Sequence, residues 1–450
     1  MSRRSLARLS HGPLALVERL FGALRTRNYR LWFFGQTVSQ CGTWTQAIAQ
    51  NALVLFQLHG SALDLGITAA LQFGPVLVLG PVGGLLADRF DKRRLLLFTQ
   101  AAFAAQALAL GLLVAGGSVK LWMVWVLALL MGTINAIDAP ARQSFVVEMV
   151  GPEALANAVG LNSVIVNASR MVGPAIAGVL IVTVGMSWTF LLNAASFLAV
   201  LGALWAMRPA DLHPVLRLPR AKGQIRAGLH YAWAAWELRI PLLMVAAISA
   251  LAYNFTVTLP LLAQLFHRGA GTYSVLTTAM GMGALVGALA AAARHRPSYR
   301  QLVLIALAFG VCLVAVAWAP SLSLMMLFVA PLGGASVLFM ASVNSLLLLN
   351  SSDAMRGRVM ALWAMVFLGS TPVGAPLTGF IAAQFGVRLA LALGGAATVL
   401  TAVAAGLALR RIRAARTVAA ASVDRAPRHA LGTGRAGSPE LAYAEADGRQ

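Results

Sequence analysis

The chain consists largely of long apolar stretches that follow one another with short polar connections, and this limits its possible folds more than any other feature. With 59% hydrophobic and 11% charged residues, the 450-residue chain lacks the charge that covers a soluble protein. An apolar helix of about twenty residues crosses a bilayer, and twelve stretches approach or exceed that length. We place them at 30–57, 65–87, 95–117, 121–141, 157–184, 187–207, 240–265, 272–293, 301–319, 321–349, 358–384 and 387–409. These stretches predict an all-α polytopic membrane protein with twelve transmembrane helices.

Positive charge is concentrated on one side of this predicted topology. All but four of the 35 lysines and arginines lie in the terminal segments and in alternate connections. The exceptions are Lys120, Arg268 and Arg388 in the other connections, and Arg170 within a span. Because cytoplasmic connections carry the excess of Lys and Arg, we expect both termini in the cytoplasm. Topology therefore explains the net charge of +21, and we do not expect nucleic-acid binding.

A long basic, proline-containing connection divides the spans into two groups of six. It predicts an N-terminal six-helix bundle at 30–207, a cytoplasmic central loop at 208–239 and a C-terminal six-helix bundle at 240–409. The flanking cytoplasmic segments are 1–29 and 410–450. The composition of 410–450, rich in Ala, Arg, Gly and Pro, is typical of a disordered tail.

A faint internal repeat supports the division into halves. The segment PEALANAV at 152–159 resembles SDAMRGRV at 352–359, and each segment opens the fifth span of its half. Parallel halves of six spans are a known transporter plan. Within the central loop, 224–238 has the apolar spacing of a helix that lies on the membrane surface, either as a linker or as a regulatory element.

The turn between the second and third spans reads GGLLADRFDKRR, from Gly83 to Arg94, and combines four cations with two carboxylates. It resembles motif A of the major facilitator superfamily, with Asp91 where that motif usually has glycine. The resemblance implies the major facilitator fold, two six-helix bundles that pivot about a central cavity. It also implies a latch that joins the bundles when the transporter faces outward, formed by Gly84, Asp88, Arg89, Lys92, Arg93 and, in the eleventh span, Arg358. The alternative is a basic loop with a purely topological role.

The fifth span contains Gly173, Pro174 and Gly178, which resemble motif C of exporters in this superfamily. Ser169 and Ala177 replace two glycines of that motif. Glycine and proline bend a membrane helix and allow close approach of a neighbour. The resemblance implies export, and the alternative is an ordinary Gly-Pro kink.

Three charged residues within or next to predicted spans are candidates for transport chemistry. Arg170 shares a helical face with Asn167, and a charged group in a span normally faces a cavity or a partner, so both are candidate substrate contacts. Asp138 lies on one face with Asn135 and Arg142. Burial favours the neutral form of a carboxyl and a nearby cation favours the ionised form, so Asp138 and Arg142 are candidates for proton coupling. The alternatives are an interhelical structural pair or a position nearer the membrane interface for Arg170, and a structural Asp138–Arg142 pair that caps the cytoplasmic end of the fourth span.

A polar stripe runs along the first predicted span. Its members recur every three or four residues and are Gln36, Gln40, Thr43, Gln46 and Gln50. Amides that face lipid are costly, so we expect the stripe to line the central cavity, with Tyr253 facing it from the other half. The alternative is a polar seam between packed helices.

Motifs of soluble enzymes are missing from the sequence, and Cys41 and Cys312 lack metal-ligand spacing, so we expect neither catalysis nor a cofactor or metal. The phrases DAPAR at 138–142 and LWFFGQ at 31–36 resemble exporters related to enterobactin and macrolide efflux proteins. This resemblance implies a monomer in a bacterial-type inner membrane that exports a small amphiphilic molecule, such as a drug, siderophore or secondary metabolite, by proton antiport. An importer or facilitator on the same fold is the alternative.

Overall fold

A computed structural model describes residues 21–213, 224–294 and 297–424, and these residues are almost entirely helical. Short 3₁₀ turns occur at Gly22–Arg25 and Pro209–Asp211, and one π-helical turn, Leu53–Gln57, extends the first helix. In chain order the helices are α1 Arg27–Ala52, α2 Ala62–Arg89, α3 Lys92–Ala115, α4 Leu121–Thr183, α5 Met186–Ala206, α6 Gln224–Ala234, α7 Trp236–Ala252, α8 Phe255–Leu265, α9 Ala270–Ala292, α10 Tyr299–Ala317, α11 Leu322–Asn350, α12 Asp353–Phe385 and α13 Val387–Asp424.

The predicted spans correspond to these helices. In the described part of the chain, 10 helical segments are long and apolar enough to cross a membrane, and α7 with α8 forms one of them. The long helix α4 supplies two spans, because Gly151 interrupts its helical backbone. Helix α1 is not among the 10, since glutamine, serine and threonine lower its hydropathy. Counting α1 and both parts of α4 gives the twelve predicted spans.

The connection within α4 differs from the prediction of a loop at 142–156. The helix continues to Gly151, whose φ of 69° lies in the left-handed region and bends the chain before Pro152. Continuation is favoured because Phe145 and Met149 are buried in the same apolar cluster as Trp32 of α1. The rings of Trp32 and Phe145 meet edge to face at 6.0 Å between centroids. This apolar face makes the connection part of the packed N-terminal half.

Two aspartates outside the cavity have local roles at helix starts. Asp64 forms a capping box with Ser61 at the start of α2. Asp91, which replaces a motif glycine, caps α3 by accepting a hydrogen bond of 2.7 Å from the backbone N–H of Arg94. The departure from the motif therefore has a structural explanation.

The amphipathic part of the central connection forms helix α6 and packs on the start of α12. A Cβ on Gly228 would lie 3.0 Å from the Cβ of Arg358. Hydrogen bonding with Ser352 lowers the pKa of Tyr231, whose hydroxyl accepts from the Ser352 N–H at 3.2 Å. Leu229 and Trp233 are about half exposed. Contact of this face with the membrane surface stays a prediction.

The chain divides into two compact units, residues 1–405 and residues 406–450. Helix α13 runs to Asp424, so the first part of the predicted tail is helical rather than disordered. Residues 425–450, the rest of that prediction, lie outside the described residues, as do 1–20 and 214–223.

Contacts between the two halves concentrate in two helix pairs, α2 with α12 and α4 with α9. In the first pair, a Cβ on Gly66 would lie 2.6 Å from the carbonyl oxygen of Ala375, and one on Gly379 would lie 2.5 Å from that of Ala62. These contacts lie at the start of α2, the end of the molecule opposite the turn 83–94. The hydrogen bond from Asn51 to the Tyr273 hydroxyl, 3.1 Å, also joins the halves.

Candidate functional site

A polar cavity of about 310 Å³ lies inside the unit formed by residues 1–405. Helices α1 to α5 supply most of its lining, and Thr256 of α8 comes from the C-terminal half. The polar and charged lining residues are Gln36, Ser39, Gln40, Thr43, Asn51, Gln72, Gln100, Asn135, Asp138, Arg142, Arg170 and Thr256. Its size suits a small organic molecule.

The stripe on α1 divides between the cavity and the protein interior. Gln36, Gln40 and Thr43 line the cavity, whereas Gln46 and Gln50 do not. On the other side of the helix, Phe34 and Val38 are 60% and 51% exposed. These exposed apolar side chains are suited to lipid, and the helix therefore has one apolar face and one polar face.

Gln46 forms a buried seam between helices, the alternative that the sequence left open. Its amide donates to the side-chain oxygen of Gln106 at 3.1 Å, and Asn193 donates to its carbonyl at 2.7 Å. All three side chains are almost fully buried. The predicted cavity position of Gln46 is therefore corrected to a structural link among α1, α3 and α5.

Asp138 is buried and reaches the cavity through a network of polar groups. Its Oδ1 accepts hydrogen bonds from Thr99 Oγ1 and Gln100 Nε2, both at 2.8 Å. Arg142 Nε lies 3.5 Å from its Oδ2. Asn135 and Arg142 line the same cavity. The structural pair and the cavity position, treated as alternatives from the sequence, therefore occur together.

Arg170 also lines the cavity, and its exposed side chain opens into that space. Its guanidinium carbon lies 5.1 Å from the ring centroid of Trp44, a cation–π contact. Asn167, predicted beside it, instead donates to the backbone carbonyl of Ser163 at 2.8 Å and is not among the lining residues. The helical spacing was compatible with a shared face, but Asn167 lies one turn away from the cavity.

Tyr253 takes a different place from the predicted one. Its hydroxyl donates to the carbonyl of Ser336 at 2.5 Å, and its ring packs edge to face on Phe309 and Phe367. It belongs to the packing of the C-terminal half, and the lining residue from α8 is Thr256. Tyr253 follows the last residue of α7 and precedes Asn254, which caps the start of α8.

The Gly-Pro segment of α4 allows two close crossings. A Cβ on Gly173 would lie 2.4 Å from the Cβ of Trp44, and Thr45 donates to the Gly173 carbonyl at 3.0 Å. A Cβ on Gly178 would lie 2.8 Å from the Cβ of Ser274 in the other half. Pro174 is buried between them. These residues thus bring α4 close to α1 and α9, and a role in biasing the transport direction stays a prediction.

The basic residues of the turn 83–94 are tied to the N-terminal half. Lys92 pairs with Glu148 at 2.5 Å, and Arg93 donates to the carbonyls of Leu204 and Trp205. Gly84 is buried, Asp88 is half-buried and Arg89 is exposed. Arg358 contacts Met355 of its own helix through its guanidinium, and its Cβ lies close to Gly228 of α6 in the central connection. The latch between halves therefore stays a proposal.

Several contributors to these sites were missed from the sequence. Gln100 and Thr99 bind Asp138, Glu148 pairs with Lys92, and Gly83 makes a close helix contact with α4. The two glutamines within the apolar span 95–117, Gln100 and Gln106, were the available signal, because amides are rare in lipid-facing positions.

Comparison with known proteins gives matches over most of the chain. A family model described as transmembrane secretion effector matches residues 19–433. The MFS-type transporter YfiS of Bacillus subtilis is 31% identical over 220 residues, 48% of this chain and 50% of that protein. The enterobactin exporter EntS of Citrobacter koseri is 25% identical over 366 residues, 79% of this chain and 85% of that protein.

Similarity to solved structures concerns the fold alone. The crystal structure of a D-xylose-proton symporter superposes with a TM-score of 0.66 at 12% identity, covering 83% of this chain and 96% of that one. The chain therefore has the major facilitator fold predicted from its sequence.

Proposed function

We propose that this chain, which belongs to the transmembrane secretion effector family of the major facilitator superfamily, exports a small amphiphilic organic molecule across the bacterial cytoplasmic membrane. The observation that carries the proposal is the polar cavity of about 310 Å³ inside a membrane-embedded helical unit. Such a cavity between two helical halves is where secondary transporters bind substrate. The exporter name of the EntS relative favours the outward direction.

Orientation and assembly are part of the proposal. We place both termini, the central loop 208–239 and the turn 83–94 in the cytoplasm, because the Lys and Arg excess lies on that side. The bundles 30–207 and 240–409 then form the two moving halves of a monomer. With this orientation, the close contacts of Gly66 and Gly379 lie on the outer side, which supports a cavity that is closed outward and accessible from the cytoplasm.

Proton antiport is the proposed energy source. Asp138 is the one carboxyl among the described residues that line the cavity. An ionisable group placed there can exchange a proton with whichever side the cavity faces, so a proton moving inward drives substrate outward. Its contact with Arg142 links the charge of Asp138 to a second cavity residue.

The export test uses everted vesicles from cells that overproduce the protein, with enterobactin, tetracycline and ethidium as probes. We expect the wild type to accumulate at least one probe when the vesicle interior is acidic. Gln40→Leu should lower that accumulation strongly, because it removes an amide from the cavity lining. Thr37→Val is the matched control on α1, since Thr37 donates only to the carbonyl of Phe33 within its own helix.

Two results would contradict this proposal. One is probe accumulation in right-side-out vesicles driven by an inward proton gradient, which indicates an importer. The other is unchanged accumulation by Gln40→Leu at equal protein levels, which places the transport path elsewhere.

The latch makes a separate prediction about Asp88 at the end of α2. If its carboxylate holds the halves together in the outward-facing state, Asp88→Asn should shift the population toward the state that is open to the cytoplasm and slow export. Maleimide labelling of a cysteine introduced at Gln40, in a background where Cys41 and Cys312 are replaced by serine, reports accessibility from each side. Asp211→Asn, an exposed carboxylate in the turn after α5, is the control. If Asp88→Asn shows the same labelling from each side and the same export rate as the wild type, the latch proposal is rejected.

A further inference from the structure

The charge balance of the cavity is the feature that the proposed function leaves unexplained. Its described lining contains two arginines and one carboxylate. Asp138 already accepts hydrogen bonds from Thr99 and Gln100 and is paired with Arg142. Arg170 contacts the ring of Trp44, and among the described residues no carboxylate lies within ion-pair distance of it. The cavity therefore has an excess positive charge located on Arg170.

We infer that the substrate is an organic anion, whose carboxylate or similar oxyanion binds Arg170 while its apolar body lies against Trp44. The inference rests on the proposed function and names the chemical class of its substrate. A guanidinium has five N–H donors in a planar fork that matches a carboxylate. An anionic ligand also gains a Coulomb attraction to this cation that a neutral ligand of the same shape does not.

A second observation points to a ligand at the same cavity. Gln36 and Gln100 are each 3% exposed and both line it. Gln100 gives its amide to Asp138, and its carbonyl oxygen has no partner among the described residues. The amide nitrogen of Gln36 likewise has none. Buried polar groups are nearly always hydrogen-bonded, so these two call for a ligand or ordered water.

Together these groups define what the ligand must carry. Arg170 requires an anionic oxygen, the Gln100 carbonyl requires a donor such as a hydroxyl, and the Gln36 amide requires an acceptor. A hydroxylated organic acid supplies all three. An organic cation lacks a counter-charge here, because Asp138 is already paired with Arg142.

The test measures binding without transport, using matched acid and amide pairs. The probes are salicylate with salicylamide, and 1-hydroxy-2-naphthoate with its amide, added to purified full-length protein in nanodiscs. Binding is measured by isothermal titration calorimetry and by the rise in unfolding temperature that a ligand of the folded state produces. We expect the acids to bind the wild type roughly ten- to a hundredfold more tightly than the amides, as for a charge-assisted hydrogen bond.

Variants locate the preference. Arg170→Gln should abolish the difference between acid and amide, and Arg170→Lys, which keeps the charge, should retain part of it. Arg268→Gln removes an exposed cation outside the cavity and should leave the difference intact. If Arg170→Gln does not fold, the difference in affinity between acid and amide, measured for the wild type and for Arg170→Lys, still tests the inference.

Equal binding of acid and amide by the wild type, tighter binding of benzylamine than of either acid, or no binding of the acids overturns the inference. Retained preference in Arg170→Gln does so as well. If the acids bind preferentially but no probe is exported in everted vesicles, the anion site stands and the proposed export function is rejected. If a cationic probe is exported and the acids are not preferred, the export function stands and the anion site is rejected.

Discussion

Replacing Gly83 by leucine is expected to remove most of the folded protein from the membrane. A Cβ at this position would lie 1.9 Å from the carbonyl oxygen of Ala136 and 3.0 Å from the Cα of Ile137, so α2 and α4 contact each other through their backbones. Small residues at such crossings allow the van der Waals packing that holds membrane helices together. Overpacking a tight contact costs about 3 kcal/mol, and a leucine here forces the two helices apart. Fluorescence-detected size-exclusion chromatography of a fusion to green fluorescent protein measures the folded fraction.

Gly80 offers the matched control on the same helix. A Cβ there meets nothing within 4 Å, so Gly80→Leu adds the same side chain without a clash. The smaller change Gly83→Ala should give an intermediate yield, because its single methyl group still meets the Ala136 carbonyl. A monodisperse, full-yield Gly83→Leu would show that α2 and α4 are not in backbone contact.

This contact also explains part of what the sequence could and could not predict. The turn 83–94 and its place between two spans were readable, because apolar runs and a charged turn are local features. That Gly83 makes this crossing depends on the rotation of α2 against α4, a long-range feature. The motif match singled out Gly84 and gave no indication of the backbone contact that Gly83 makes with α4.

The stripe on α1 shows the same limit in the site. At 100° per residue, Gln40 and Thr43 lie within about 40° of Gln36 around the helix, whereas Gln46 is turned by about 80°. That rotation takes Gln46 out of the cavity and toward Gln106 and Asn193. The period indicated a polar face, but its width, and the neighbours that cover its edge, could be read only from the packed helices.

Asp138 was within reach of sequence reasoning, and its surroundings were not. Asn135 and Arg142 share its helix, so their common face follows from spacing alone. Thr99 and Gln100 come from α3, some forty residues away, and only the fold brings them to the carboxyl. These contacts matter for the second large effect, because they hold the carboxyl at the cavity wall whatever its charge.

Asp138→Asn is expected to abolish proton-driven accumulation while leaving the protein folded. Asparagine has nearly the same shape and its carbonyl can still accept from Thr99 and Gln100, but it cannot bind or release a proton. Accumulation in everted vesicles should fall to the level seen after an ionophore collapses the pH gradient. Downhill exchange of labelled for unlabelled substrate should persist, since the pocket remains. A carboxylate with only a structural role would give the opposite pattern, with lower thermal stability and unchanged coupling.

A proton readout separates these roles for Asp138 without relying on accumulation. If substrate binding is linked to protonation of Asp138, adding substrate to lightly buffered, detergent-solubilised wild type should release or take up protons, and Asp138→Asn should do neither. Asp211→Asn, an exposed carboxylate outside the cavity, should behave as the wild type does. Proton release or uptake that survives Asp138→Asn would move the coupling site to another group. Full accumulation by the same variant would reject Asp138 as the proton carrier. The carrier would then lie outside this cavity, because no other carboxyl among the described residues lines it.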